Sequence, residues 1–359
     1  MLPISFLRSG NASEDAIIED IRRAKSSIFV EMFIISNDYA GLRLIDTLCE
    51  KAKEGVRVRL IADTVGSFAL WRSKEIQREL REAGVHFSFF NHLVPWYPKN
   101  LRMWYFRSHR RSVIVDGIIC YAGSICFDVD MRDWRETMVR LESAETAADM
   151  SRHFEKMWKL SEHGIFRKEK RSRPDEIVNK DVEYLSNTPL PGRRQLYRKL
   201  IELIRFAKSE IIITTPYFIP DHRLHRAIQF ARKKNVRIVV LVPRPSNHPY
   251  VDWAGDYDKT IYMRMGVEFY FYHGMVHSKT AIFDGEAALI GSMNMDNISL
   301  RYNFENALLI RDKDTTEIVR GHFIEDLKNA HKITLEEWHK RPFMEKFLMI
   351  CMWPFRKLL

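Results

Sequence analysis

His277 and Lys279 begin the run His277-Ser278-Lys279-Thr280-Ala281-Ile282-Phe283-Asp284, and Gly291-Ser292-Met293-Asn294 follows. An earlier stretch repeats the plan: His109-Arg110-Arg111-Ser112-Val113-Ile114-Val115-Asp116, then Gly123-Ser124. Two copies of His-x-basic-x4-Asp-x6-Gly-Ser supply two histidines and two cations. That set can cut a phosphodiester without a metal, with one imidazole as nucleophile, the other as general acid, and a positive cradle for the phosphate. Imidazole suits both roles because its ordinary pKa is about 6.5. Lys279 and Arg111 would meet the charge that gathers on the equatorial oxygens of the transition state. Asn294, Ser292 and Ser124 would add neutral donors on the substrate.

Each histidine also needs a carboxylate on its other ring nitrogen to orient it. Glu136, in Trp134-Arg135-Glu136, lies 27 residues after His109; Glu305, in Asn303-Phe304-Glu305, lies 28 after His277. The matched separation singles out these two glutamates. Asp116 and Asp284 each precede a glycine, and Asp-Gly is a turn signature. Two roles stay open for them, direct catalysis or capping of the turn that ends a strand.

Around these residues the chain repeats a whole set of elements. Ala24-Lys25-Ser26 leads into strand-like 28–33, a helix over 42–53, strands over 56–61 and 84–89, and then the first histidine motif. Ala207-Lys208-Ser209 leads into strand-like 211–214, a helix over 224–233, strands over 236–241 and 266–271, and then the second motif. Each half closes on an amphipathic helix, with Phe154 and Trp158 in the first and Phe323 and Leu327 in the second. Strands alternating with helices predict α/β architecture with parallel strands. The basic, Pro-terminated stretch 166–174 reads as a solvated linker.

The repeats are out of step. Ala24 precedes its counterpart by 183 residues and His109 by 168, so the first half carries about 15 extra residues before its motif. Most fall in 92–107, which holds Trp96, Tyr97 and Trp104 among lysines and arginines. Such a loop is either an element that touches lipid or a segment folded back on the core.

Composition limits the partners. The 359 residues carry a net charge of +10, which favours an anionic partner: nucleic acid, anionic lipid or another phosphate compound. The four cysteines form no Cys-x-x-Cys pair and no zinc-spaced cluster, so free thiols and no metal site are expected. No apolar run reaches the ~18 residues of a membrane span. The C-terminal stretch 343–355 contains Phe347-Leu348-Met349-Ile350-Cys351-Met352-Trp353 between basic residues. It is too short to span a bilayer but long enough to lie in its surface.

The motif set resembles the phospholipase D superfamily, and within it the bacterial cardiolipin synthases. The likeness rests on Thr215-Pro216-Tyr217-Phe218-Ile219-Pro220-Asp221, Arg107 to Arg111, Trp134 to Thr137, Met275 to Thr280, Gly291 to Asp296 and Asn303-Phe304-Glu305. It implies two pseudo-twofold-related lobes, each a mixed, mostly parallel sheet flanked by helices, with one site at their interface. It also implies phosphatidyl transfer between phosphatidylglycerol molecules with no cofactor. The carboxylate of one half would support the histidine of the other, pairing Glu305 with His109 and Glu136 with His277. His109 would be the nucleophile and His277 the acid and base. The chain departs from the pattern at Arg111, where a lysine is usual, and at Cys126, where an asparagine is usual. Ile298 stands where such synthases often have arginine, and the two N-terminal membrane helices many of them carry are missing.

The resulting expectation is a first lobe over 1–165, a linker over 166–185, a second lobe over 186–340 and a membrane-surface segment over 341–359. The enzyme would work peripherally on the cytoplasmic face of a bacterial membrane. Its substrates would be anionic phospholipids rather than nucleic acid, with Trp96, Tyr97, Trp104 and Trp353 as membrane contacts. The alternative is a hydrolase of the same superfamily, a phospholipase or a nuclease, that uses water as acceptor.

Overall fold

The computed structural model describes residues 3–92, 105–164, 181–189 and 194–359. The first half holds strands β1 (Ile4–Ser9), β2 (Ser27–Met32), β3 (Arg57–Asp63), β4 (His86–Phe90), β5 (Ser112–Val115), β6 (Ile119–Gly123) and β7 (Arg135–Glu142). Between and after them lie helices α1 (Gly10–Arg23), α2 (Tyr39–Lys53), α3 (Phe68–Arg72), α4 (Lys74–Glu82) and α5 (Ala144–His163). The second half holds β8 (Val182–Asn187), β9 (Glu210–Thr214), β10 (Arg237–Pro243), β11 (Glu268–Tyr272), β12 (Thr280–Phe283), β13 (Ala287–Gly291), β14 (Glu305–Ile310) and β15 (Ala330–Ile333). Its helices are α6 (Gln195–Phe206), α7 (His222–Lys233), α8 (Pro249–Arg264), α9 (Asn297–Arg301), α10 (Lys313–Leu327), α11 (Leu335–His339) and α12 (Phe343–Met352).

The two sheets follow one plan. The first runs β1-β7-β6-β5-β2-β3-β4, and the second runs β8-β14-β13-β12-β9-β10-β11 with β15 added at the edge. The two expected α/β lobes with mixed sheets are present, but the balance within each sheet is reversed. Among the described residues, two neighbouring pairs in each are parallel, β2-β3 and β3-β4 in one and β9-β10 and β10-β11 in the other. The remaining pairs are antiparallel. The cause is local. Asp116-Gly117 and Asp284-Gly285 adopt positive φ, so each histidine strand turns straight back into its neighbour as a hairpin instead of crossing over through a helix. β8 corrects a second expectation. It begins inside the stretch read as linker, 166–185, and pairs with β14, so the second sheet starts at Val182. Residues 166–180 lie outside the described residues.

The apolar periodicity accounts for the rest. Fully buried strands such as Ile211 to Ile213 and Val239 to Leu241 are near-continuous β-branched runs, as sheets covered on both faces require. Each lobe has a core of its own between its sheet and its outer helices. A third core joins the lobes. Val139 and Leu141 of β7, Ala122 of β6, Phe154 and Met157 of α5, Ile290 of β13, Leu308 of β14 and Phe323 of α10 pack in one cluster. β6 lies against β14 and β7 against β13.

Polar bonds lock this interface. Arg135 of β7 grips Asp326 of α10 through two bonds of 2.7 Å, and Arg8 of β1 reaches the same carboxylate at 2.8 Å. Asp326 is buried, so both cations depend on it. Removing one partner of such a group leaves charge uncompensated, at a cost of about 3–5 kcal/mol. Asp326→Ala is expected to lower the unfolding free energy by about 3 kcal/mol in a denaturant titration. An unchanged midpoint would show that the lobes are held by the apolar core alone.

Candidate active site

Two short backbone crossings carry the chain of one lobe onto the other. The His109 N–H donates to the Phe304 carbonyl at 2.9 Å, and the Phe304 N–H donates to the Arg107 carbonyl at 2.9 Å. On the other side the His277 N–H donates to the Arg135 carbonyl at 2.8 Å, and the Arg135 N–H donates to the Met275 carbonyl at 3.0 Å. Each crossing joins the residue before a motif histidine to the residue before, or next to, a glutamate of the opposite lobe. The histidines and glutamates are thereby brought together in exchanged pairs. His109 Nδ1 lies 2.9 and 3.0 Å from the two Glu305 oxygens, and His277 Nδ1 lies 2.7 Å from Glu136 Oε1. All four side chains are buried.

Each glutamate is held on its far side. Ser292 donates to Glu305, and Ser124 donates to Glu136. Both serines follow a glycine for a steric reason. A Cβ at Gly123 would sit 2.4 Å from the Thr137 carbonyl oxygen, and one at Gly291 would sit 2.1 Å from that of Asn306. The strands therefore approach closely enough for the serine hydroxyl to reach the carboxylate. Ser124 and Ser292, expected to touch substrate, donate their hydroxyl protons to the glutamates.

Arg111 and Lys279 are buried beside the histidines. Arg111 Nη1 donates to the His109 carbonyl at 2.6 Å, and Lys279 Nζ donates to the His277 carbonyl at 2.6 Å. Here the symmetry breaks. Arg111 Nη2 also reaches His109 Nε2 at 3.0 Å and Cys126 Sγ at 3.6 Å. Guanidinium has no acceptor, so Nε2 must present its lone pair and the proton must sit on Nδ1, towards Glu305. Asn294 is buried with its Oδ1 unpaired, and so is Arg111 Nε. Polar capacity is therefore left open beside the histidines.

The electrostatics are those of a dry, cation-rich pocket. Burial, reinforced by Arg111, Lys279 and His277, pushes His109 well below the usual imidazole range. Burial also drives His277 down to about 4, although Glu136 opposes it. Burial brings Lys279 down to about 7, with Arg111 adding to the effect against the pull of Glu136. The two glutamates diverge. Burial raises Glu305 to about 8 despite the Ser292 hydrogen bond and Arg111. For Glu136 burial pulls the same way, but His277 and Lys279 outweigh it and hold the carboxyl below its ordinary value. Glu136 therefore behaves as a full anion facing His277, whereas Glu305 has a high proton affinity and pulls on the Nδ1 proton of His109.

Asp116 and Asp284, carried among the candidate catalytic residues, are not brought to this pocket. They lie at the opposite ends of β5 and β12 from the histidines. Asp116 accepts from the N–H groups of Lys25, Ser26 and Ser27, and Asp284 from those of Lys208, Ser209 and Glu210. Of the two roles left open for them, the structure supports capping. Trp96, Tyr97 and Trp104 lie outside the described residues, while Trp353 is surface-exposed near the C-terminus. Several contributors were given no role of their own from the sequence. Phe33 and Trp134 set their rings edge-on to His109 and His277, at 4.8 and 5.3 Å between centroids. Asn303 reaches Glu305 Oε1 at 3.4 Å. Thr137 Oγ1 meets Ser278 Oγ across the lobes at 2.7 Å, and Asn306 clasps the Arg111 backbone in the matching place. Their position directly after the two glutamates was the available clue.

Comparisons with known proteins agree with this architecture. Residues 17–158 and 200–327 both match the family described as cardiolipin synthase, PLD-like domain, one stretch in each lobe. "Cardiolipin synthase 2" of Staphylococcus epidermidis is 33% identical over 356 residues, covering 96% of this chain and 72% of that protein. "Major cardiolipin synthase ClsA" of Bacillus subtilis is 32% identical over 355 residues, covering 94% and 72%. Among solved structures, the phosphatidylserine synthase of Haemophilus influenzae superposes with a TM-score of 0.80 at 15% identity, covering 99% of this chain and 95% of that one. The polyphosphate kinase of Porphyromonas gingivalis gives 0.62 at 12% identity, covering 99% and 53%. At such identities these two speak for the fold alone. The chain belongs to the cardiolipin synthase family, a phosphatidyltransferase branch of the phospholipase D superfamily.

The capping role of the aspartates is testable. Asp284→Ala removes the acceptor of three backbone N–H groups and forces alanine into positive φ. It is expected to lower stability by about 2 kcal/mol while leaving turnover per folded molecule unchanged. A drop in kcat at full folding would return Asp284 to the chemistry.

Proposed function

We propose that this family member transfers a phosphatidyl group from phosphatidylglycerol, or another phospholipid, to the hydroxyl of a phosphatidylglycerol, making cardiolipin at a bacterial membrane surface. The observation that carries the reading is the pair of exchanged His–Glu contacts, in which one imidazole is stripped to its lone pair by Arg111. That inequality fits a two-step transfer with a nucleophile and a separate acid.

In the first step His109 Nε2 attacks phosphorus and a P–N bond forms. The bond to the leaving alcohol breaks, and that oxygen takes a proton from His277 Nε2. Glu305 stabilises the cationic imidazole as it develops, because its high proton affinity draws on Nδ1–H. The phosphodiester's own negative charge offsets Arg111 and Lys279 and raises His277 enough for it to carry its proton into the complex. In the second step His277, now neutral, removes the proton from the incoming phosphatidylglycerol hydroxyl. The alkoxide attacks phosphorus, the P–N bond breaks, and both histidines return to their starting states. Arg111, Lys279 and Asn294 stabilise the charge on the equatorial oxygens.

The transfer is expected when purified protein meets phosphatidylglycerol liposomes, with and without phosphatidylethanolamine, and the lipids are identified by mass spectrometry. Cardiolipin supports the transferase. Phosphatidic acid alone would make water the acceptor and the enzyme a phospholipase. His109→Ala and His277→Ala are each expected to abolish product without unfolding the chain, and near-wild-type turnover in either would remove the two-histidine mechanism.

The pocket also predicts a pH dependence. Lys279 in the free enzyme loses its proton as pH rises through about 7, whereas Arg111 keeps its charge. Affinity for an anionic headgroup should therefore fall above neutrality, seen as a rising KM. Lys279→Arg should flatten that rise, whatever it does to kcat. An equal alkaline rise in the variant would assign the effect to another group.

A further inference from the structure

The last 17 residues leave a row of large apolar side chains exposed. α12 and the tight turn Trp353–Leu358 that follows it lie on α8 and α9. An amphipathic helix ordinarily turns its apolar stripe to the core. In α12 no residue is buried, and Phe343, Met344, Phe347 and Ile350 face outwards, at the helical spacing that makes one stripe. Phe343 is 80% exposed and Ile350 65%. Phe355 and Leu358 of the turn extend the same surface.

The inward side is mixed: Met352 and Leu359 pack on Ile219, Val251 and Ala254, and ion pairs flank that contact. Glu345 accepts from Arg244 at 2.7 Å, Arg341 reaches Asp256 at 2.6 Å, and Arg356 reaches Asp258 at 3.0 Å. Asp256 is fully buried and also holds Arg244 at 2.9 Å and Lys259 at 3.1 Å. The chain end is tied down as well. The Ile298 N–H donates to the Leu359 carbonyl at 2.9 Å, and Asn297 Nδ2 to the Arg356 carbonyl at 3.2 Å. These bonds fix an apolar surface outwards. A contiguous apolar patch of this kind marks a surface that is covered in use.

Charge and position decide what covers it. Arg341 and Arg356 are taken up by the ion pairs behind the stripe and Lys340 pairs with Glu336, while Lys346 lies within the helix, so the exposed charge beside the stripe is basic and suits an anionic partner. An anionic lipid surface meets both the stripe and its rim, and Trp353 beside Tyr257, 5.6 Å between rings, supplies the aromatic pair suited to a headgroup layer. The segment is also anchored to Asn297 and Ile298, three and four residues after Asn294 of the site.

We propose that α12 and its following turn form a rigid apolar plate that enters the interfacial layer of an anionic bilayer. Its ion-paired back, clamped to α8 and α9, sets the site's position over the headgroups. The proposal rests on the reading that the substrates are phospholipids, and it makes the clamp a positioning device.

Simple deletion of the segment would also strip Asp258 of Arg356 and Arg244 of Glu345, so substitution on the exposed side is the cleaner test. The full chain and the double variant Phe343→Glu/Ile350→Glu are floated with phosphatidylcholine vesicles, with and without added phosphatidylglycerol. Turnover is measured on the same vesicles and on monomeric short-chain phosphatidylglycerol. The variant is expected to lose vesicle binding and vesicle turnover by about tenfold or more while keeping turnover on monomeric lipid. Asp258→Asn, which frees Arg356, is expected to keep binding but lose vesicle turnover. Unchanged flotation of the double variant overturns the proposal. So does lipid-free self-association that the double variant abolishes while flotation persists, since a second copy would then be the cover. Wild-type chain that floats through the plate yet makes no new lipid supports the docking and removes the phosphatidyltransferase reading instead.

Discussion

Two carboxylates buried between the lobes, each held by a histidine of the opposite lobe, are the constraint on which the rest depends. A buried carboxyl group is costly unless it is hydrogen-bonded, and more so when ionised. Glu305 is met by His109, Ser292 and Asn303, and Glu136 by His277 and Ser124. Every partner must arrive at once, and they come from both halves of the chain. The lobes can satisfy these groups in one relative arrangement only. The shared apolar core, the backbone crossings at Phe304 and Arg135 and the Arg135–Asp326 grip all serve that arrangement. Neither lobe alone completes a His–Glu pair, so assembly of the lobes and assembly of the site are one event.

Much of this was legible in the residues. The repeated motif, the matched spacing of 27 and 28 residues to the glutamates and the repeated strand order mark two equivalent halves. The exchanged pairing came from family resemblance and not from spacing, since distance along the chain says nothing about which lobe a side chain faces. Part of the antiparallel bias escaped because two Asp-Gly hairpins turn β5 into β6 and β12 into β13. The pattern of strands and helices shows the elements but not the direction in which each re-enters the sheet. β1 and β8 escaped because edge strands have weak periodicity. Ile4–Ser9 has no buried residue, and Val182–Asn187 sits behind a charged stretch that reads as linker. The serines were read as substrate donors because a hydroxyl next to a catalytic motif is equally suited to a phosphate and to a carboxylate. Only the close strand approach at Gly123 and Gly291 separates the two.

The departures at Arg111 and Cys126 belong together. In the second half Lys279 donates to the His277 carbonyl, and the Oδ1 of Asn294 is left unpaired beside it. In the first half Arg111 extends to His109 Nε2 and touches a thiol, whose hydrogen bonding is weak. Burial pushes the Cys126 thiol up, so it stays neutral beside the guanidinium. An asparagine there would offer Arg111 a good acceptor and compete with the imidazole. With cysteine in place, the guanidinium is left to the histidine and, when one arrives, to the phosphate.

That difference turns a structurally symmetric pair of histidines into a chemically unequal one. A lysine can surrender its proton in such a pocket, and Lys279, brought down to about 7, is close to doing so. Arginine cannot, so the charge beside His109 is permanent and disfavours protonation of Nε2. The same fixed charge lowers Lys279 and His277 across the pocket. It therefore sharpens the need for an anionic headgroup before the acid can carry its proton. An empty site is poor at protonating a leaving group, and one holding a phosphodiester is prepared for it. In the proposed mechanism the charge of the phosphodiester thus completes the catalyst.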